Sequence, residues 1–135
     1  MRKFELEAEI INNIVPRESG IYFIHADFQF PRLKGKTDIL YIGTSKSNLR
    51  KRLGTFIRGF KMIDKLLKRY DWEEAIKKFQ GSRKATPRSW RLSRQLKRQL
   101  YFTYEICEDC RTRENELLYE FEKKHFELPP LNHAN

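Results

Sequence analysis

The chain has 135 residues, with 28 Lys and Arg against 18 Asp and Glu and a formal charge of +10. That length fits one domain, 1–135, and the aliphatic and aromatic content argues against a disordered or low-complexity chain. No apolar run is long enough to span a bilayer and the first residues lack the apolar stretch of a signal peptide, so a membrane protein is excluded and a cytoplasmic one is expected. The cationic surplus points to a polyanionic partner, because each cation set on a phosphate releases condensed counterions.

In chain order, FELEAEIINNI (4–14) has the spacing of a short helix, ended by Pro16. GIYFIHA is β-branched and aromatic and is predicted as a strand; DFQFPRLKGKT follows as a long loop with Pro31 and Gly35 as breakers. DILYIG is the second strand, antiparallel to the first. Ser47 is the expected N-cap of a helix whose Leu49, Leu53, Phe56 and Phe60 share one face. A further helix is predicted over 62–79, and Thr86-Pro87 opens another over 88–100. YFTYEI alternates as a third strand, and RENELLYEFEKKHF is a final helix with Leu117, Leu118 and Phe121 on its buried side. The order predicts an α+β domain: a small three-stranded antiparallel sheet flanked by helices.

The stretch 83–98 contains Arg88, Arg91, Arg94 and Arg98, with Trp90 interleaved and no acid. A basic helix with an aromatic near its start suits DNA, by phosphate contact and base stacking; the competing account is a solvated face with Trp90 in the core. CEDC is a single CxxC, for which zinc would need two more ligands, with only His125 and His133 nearby. Reduced thiols at Cys107 and Cys110 are the expectation.

Tyr22 and Tyr41 fall on consecutive strands, each close to a glycine. Two such tyrosines form either a packed cross-strand pair or one wall of a site, the glycine leaving room for a close approach.

The tripeptides Gly20-Ile21-Tyr22 and Tyr41-Ile42-Gly43, followed by NLRKRL, resemble the GIY-YIG nuclease superfamily. Glu114, with Leu117 and Leu118 three and four residues on, and Asn132 in PPLN extend the resemblance across 19–132. It implies a metal-dependent DNA endonuclease in which Tyr22 and Tyr41 surround the attacking water, one acting as the general base or orienting it. Arg52 would contact the scissile phosphate, Glu114 would be the single acidic ligand for Mg²⁺ or Mn²⁺, and Asn132 would support the metal-site geometry. Arg50 lies two residues before Arg52 and competes for its role, and Lys51 and Arg50 extend the basic surface toward DNA.

Those residue types suit phosphodiester hydrolysis. One carboxylate holds Mg²⁺ if phosphate and water complete its shell, and a planar guanidinium grips phosphate in a fork that lysine lacks. A phenol, with a reference pKa near ~10, is a poor base without a neighbouring cation or a relay. The chain departs from the family at Phe56, where relatives carry a residue able to transfer a proton, and at Thr44, where many carry lysine. These departures motivate an alternative, a module that keeps the fold and the basic surface without turnover. His25, Arg32, Lys34 and Lys36, in the loop 25–38, either reach substrate or belong to a plain insertion. The oligomeric state is left open.

Overall fold

A computed structural model describes residues 2–71, 73, 74, 77 and 99–132. Four strands form one sheet: β1 (Phe4–Glu5), β2 (Gly20–Pro31), β3 (Lys36–Ser45) and β4 (Tyr101–Ile106). Among the described residues the helices are α1 (Ala8–Ile14), α2 (Leu49–Leu67) and α3 (Cys110–His125). The sheet order is β1-β4-β2-β3, and all three pairings are antiparallel. None of the described helices is long and apolar enough to cross a membrane.

The α+β class agrees with expectation, but the sheet has four strands rather than three. The extra one is β1, at the start of the segment 4–14, which is expected as helix throughout and is helical only over Ala8–Ile14. Phe4 pairs with Phe102 in register, their rings 5.6 Å apart, and the Leu6 amide donates to the Leu100 carbonyl at 2.9 Å. Pairing across the sheet outweighs the weak local preference of so short a stretch.

The second difference is the long hairpin. Most of the predicted loop is strand, because β2 runs on to Pro31 and pairs through Pro31↔Lys36. Register shifts after Ile24 and after His25 absorb the irregularity. Pro31 is tolerated because it closes the ladder rather than interrupting it. The tip turns through Gly35, whose φ of 73° is left-handed, and Arg32 N–H donates to the Gly35 carbonyl at 3.0 Å.

Side chains alternate across the sheet and sort into two layers. Tyr22, Ile24 and Tyr41 pack with Ile11 and Val15 of the α1 region and with Leu49, Leu53 and Ile57 of α2. Ile21 and Ile42 face the other way, against Cys110, Leu117 and Leu118 of α3. Helices therefore cover both faces.

The helix starts show which polar residues act as caps. Asn48, not Ser47, caps α2, its Oδ1 accepting from Lys51 N–H at 3.1 Å. Ser45 Oγ accepts from Asn48 N–H at 3.0 Å and so sets the turn before it. The further helix expected from 62 does not start separately, because α2 continues as one helix to Leu67. Asp109 caps α3, accepting from the amide and hydroxyl of Thr112, and those two bonds hold its carboxyl below the usual range. At the same corner Cys107 and Cys110, expected as reduced thiols, are joined as a disulfide, their Cα atoms 5.5 Å apart. The turn from β4 into the capped helix brings the two within bridging distance. Of the helix predicted over 88–100, residues 88–98, with Arg88, Trp90, Arg91, Arg94 and Arg98, lie outside the described residues, as does His133; 99–100, which are described, are not helical.

Candidate active site

Gly43 is the floor of the tyrosine pair. It is the register partner of Tyr22, and a Cβ built on it would stand 2.6 Å from Tyr22 Cζ and Oη and 2.6 Å from Tyr41 Cε2. The two ring centroids are 5.8 Å apart with their planes tilted by 57°, and both residues are buried, 3% and 7% exposed. The glycine is thus required by a packed tyrosine pair, so the cross-strand account of the residues is realised whatever chemistry they perform. Gly20 serves the backbone instead, since a Cβ there would meet the Glu105 carbonyl and Leu49 Cδ1 at 2.4 Å.

Phe56 stacks on the second tyrosine, ring centroids 6.4 Å apart and planes 12° from parallel. It therefore braces Tyr41 at a position where it has no proton to transfer.

Arg52, one turn into α2, is exposed, and its Nε lies 3.4 Å from the Thr44 carbonyl, the residue after Gly43. Arg50 is turned inward, donating through Nε to the Val15 carbonyl at 2.7 Å. Of the two competing arginines, Arg52 is the one beside the tyrosine motif. It lines a concavity of about 350 Å³ with Lys46, Lys51, Ser47, Thr44 and Thr55.

Asn132 grips the other side of the motif. It makes two 2.8 Å hydrogen bonds to the main chain of Ile42, accepting from N–H and donating to C=O. Tyr22, Tyr41, Arg52 and Asn132 thus converge on the four residues Tyr41–Thr44.

Glu114 stands apart from that group. It lies on α3, between Cys110 and Leu117, which pack on Ile21 and Ile42 from the opposite face of the sheet. It is half-buried and makes no hydrogen bond or ion pair among the described residues. Its neighbours are more committed: Arg113 binds Glu105 at 2.9 Å and Glu116 at 3.3 Å, and Glu105 first among them strengthens the arginine's hold on its proton. No group of three or more His, Cys, Asp or Glu suited to a metal occurs among the described residues. The donor set is one carboxylate, which fits a hard cation that completes its shell with water and phosphate, and does not fit a zinc cage.

The residues of the expected loop are placed in structural roles. Arg32 pairs with Glu127 at 2.7 Å, Lys34 lies over the Phe126 ring at 5.0 Å, and His125 donates through Nδ1 to the Lys34 carbonyl at 2.8 Å. The hairpin tip is thereby latched to the end of α3, and His125 is occupied away from the cysteines.

His25 was not foreseen as a buried centre. It is 7% exposed, its Nδ1 3.0 Å from Asp38 Oδ1 and its Nε2 2.9 Å from Thr103 Oγ1, while Lys3 Nζ bonds the other Asp38 oxygen. Burial strips the imidazolium of water and lowers the His25 pKa, outweighing the pull of Asp38. Burial alone would raise Asp38, but the hydrogen bonds from Lys3 and His25 prevail and its pKa falls. The available signal was the pairing of β2 with β3, which sets His25 opposite Ile39, next to Asp38.

No protein-family model, curated protein or solved structure matches the chain.

Proposed function

We propose that this protein is a metal-dependent DNA endonuclease of the GIY-YIG type, hydrolysing a phosphodiester bond. The observation that carries the reading is the convergence of Tyr22, Tyr41, Arg52 and Asn132 on Tyr41–Thr44, with Gly43 leaving space for both rings. Arg52 would hold the phosphate oxygens and offset charge as it builds on them. The phenols, packed against each other, would orient the attacking water, with Tyr22 the leading candidate to accept its proton because Phe56 offers no relay beside Tyr41. Asn132 fixes the strand that carries the second tyrosine. The resemblance assigns Mg²⁺ or Mn²⁺, an ion that would polarise phosphate when bound, to Glu114; that carboxylate lies on α3, apart from the Tyr41–Thr44 group, so its part in the site rests on the resemblance and not on the convergence.

One observation favours a second reading. The Phe56 stack fills a proton-transfer position with an inert ring, as expected of a nucleic-acid-binding module without turnover. Incubation of supercoiled, nicked, flapped and four-way DNA with Mg²⁺ or Mn²⁺ separates the two. Metal-dependent product that Arg52→Ala removes supports the nuclease; salt-sensitive binding without product supports the module.

A further inference from the structure

The first turn of α2 contains Arg50, Lys51 and Arg52 and no acidic residue. A helix N-terminus carries partial positive charge, so three cations there work against the stability of the helix. A broken local rule of this kind marks a constraint other than folding. Arg50 is explained by its short bond to Val15; Arg52 makes only a long contact to the Thr44 carbonyl, and Lys51 has no side-chain partner among the described residues. The end amides are already taken: Leu49 N–H donates to Glu18 O at 2.9 Å, Arg50 N–H to Pro16 O at 3.3 Å, and Lys51 N–H to Asn48 Oδ1 at 3.1 Å. Any attraction for an anion therefore comes from side chains.

Because α2 is unbroken, Lys51, Arg58 and Lys65 stand seven residues apart on one exposed line, with Thr55 between the first two. Arg58 donates to Thr55 Oγ1 at 3.3 Å, which turns it along that line. At about 1.5 Å per residue the line is about 21 Å long, the rise of about six base pairs of duplex. Among the described residues none of Lys46, Lys51, Arg52, Arg58 and Lys65 has an acidic partner, whereas Lys61 is paired with Glu7 at 2.9 Å. A solvated helix face normally mixes both signs, as α3 does.

We infer that the line Lys51–Arg58–Lys65, leading from the concavity of Lys46 and Arg52, is the track for the phosphodiester backbone of duplex DNA flanking the cut. The inference rests on the nuclease reading and adds the direction in which the substrate leaves the site. Charge complementarity selects the occupant: a row of exposed cations with no acidic partner among the described residues meets a row of phosphates, and each contact releases counterions.

The test measures binding of a labelled duplex of about 20 base pairs to the full chain in EDTA, between about 50 and 200 mM salt. The variant Lys51→Gln/Arg58→Gln/Lys65→Gln is compared with Arg111→Gln/Lys123→Gln/Lys124→Gln, which removes as much charge from exposed positions on α3. The track variant should show a slope of log affinity on log salt shallower by about 2.7, or about 0.9 per lost phosphate contact, with the control slope unchanged. Equal loss in both variants, or none in the first, overturns the track. If wild-type nicking persists in that case, the nuclease reading stands. A wild-type chain that neither binds duplex nor cuts overturns both.

Discussion

Asn132 binds Ile42 through both main-chain groups, accepting from its N–H and donating to its C=O at 2.8 Å each, across 90 residues of sequence. Together with the Leu131 amide on the Leu40 carbonyl at 3.0 Å, it pairs the end of the described chain with the outer edge of β3. Replacing Asn132 by Ala strands a donor and an acceptor, and the expected loss is about 1–3 kcal/mol in urea unfolding. Asn132→Asp keeps the acceptor and should lie between Ala and wild type. An alanine variant as stable as wild type would show that water replaces the amide without cost.

Gly43→Ala places a methyl 2.6 Å from both tyrosine rings. Neither ring has room to retreat, because both are buried and Tyr41 is stacked on Phe56. Overpacking should cost about 1–3 kcal/mol and shift the tyrosine signals in near-ultraviolet circular dichroism. Unchanged spectra and stability would remove Gly43 from its role as the floor.

If the protein is the nuclease proposed, Arg52→Ala and Glu114→Gln should each reduce metal-dependent nicking at least about 100-fold while the melting temperature holds, since neither side chain is fully buried. Arg50→Ala should do the reverse, lowering stability through the lost Val15 contact and sparing the chemistry. Full activity in the Glu114 variant would exclude it as the metal ligand. Nicking assays beside thermal melts decide each case.

The buried His25 should make stability depend on pH. Its folded pKa lies below the ordinary 6.5, so below that pH the unfolded chain binds a proton that the folded chain resists. Stability is therefore full above about 6.5 and declines as pH falls, at no more than about 1.4 kcal/mol per pH unit for one proton. Asp38, also lowered, adds a loss of the same sign once pH falls below 3.8. The groups around the imidazole are Asp38, Lys3 and Thr103. His25→Gln should flatten the upper part of the profile, and an unaltered slope between pH 6.5 and 5 would assign the effect elsewhere.

The parts of the fold visible in the sequence were those whose cause is local. Alternating β-branched and aromatic residues announced β2, β3 and β4, and the four-residue spacing of Leu49 and Leu53 announced the buried face of α2. Long-range partners were hidden. Residues 4–5 read as the start of a helix, and only their pairing with Phe102 and Tyr101 makes them a strand. Pro31 and Gly35 read alike as breakers, yet Gly35 makes the turn and Pro31 ends a ladder. At the site, the glycines marked the tyrosine pair correctly because a missing Cβ has one simple use. The resemblance already favoured Arg52 over Arg50, but that Arg50 is occupied by the Val15 carbonyl was not legible in the sequence. Nothing local told Cys107 and Cys110 to bridge; the capped corner after β4 does that.

The latch between the hairpin tip and α3 bears on the order in which the chain folds. The β2–β3 hairpin is synthesised early, yet its tip is held by Glu127, His125 and Leu128, and its outer edge by Asn132. β1 likewise waits for β4. Each of these closures spans about 90 residues or more, so their loop entropy must be met before the contacts repay it. Folding should therefore be slow for a chain of this size and completed only when α3 arrives. A nascent chain lacking α3 would present both an unlatched hairpin and a bare strand edge, open to pairing with other chains.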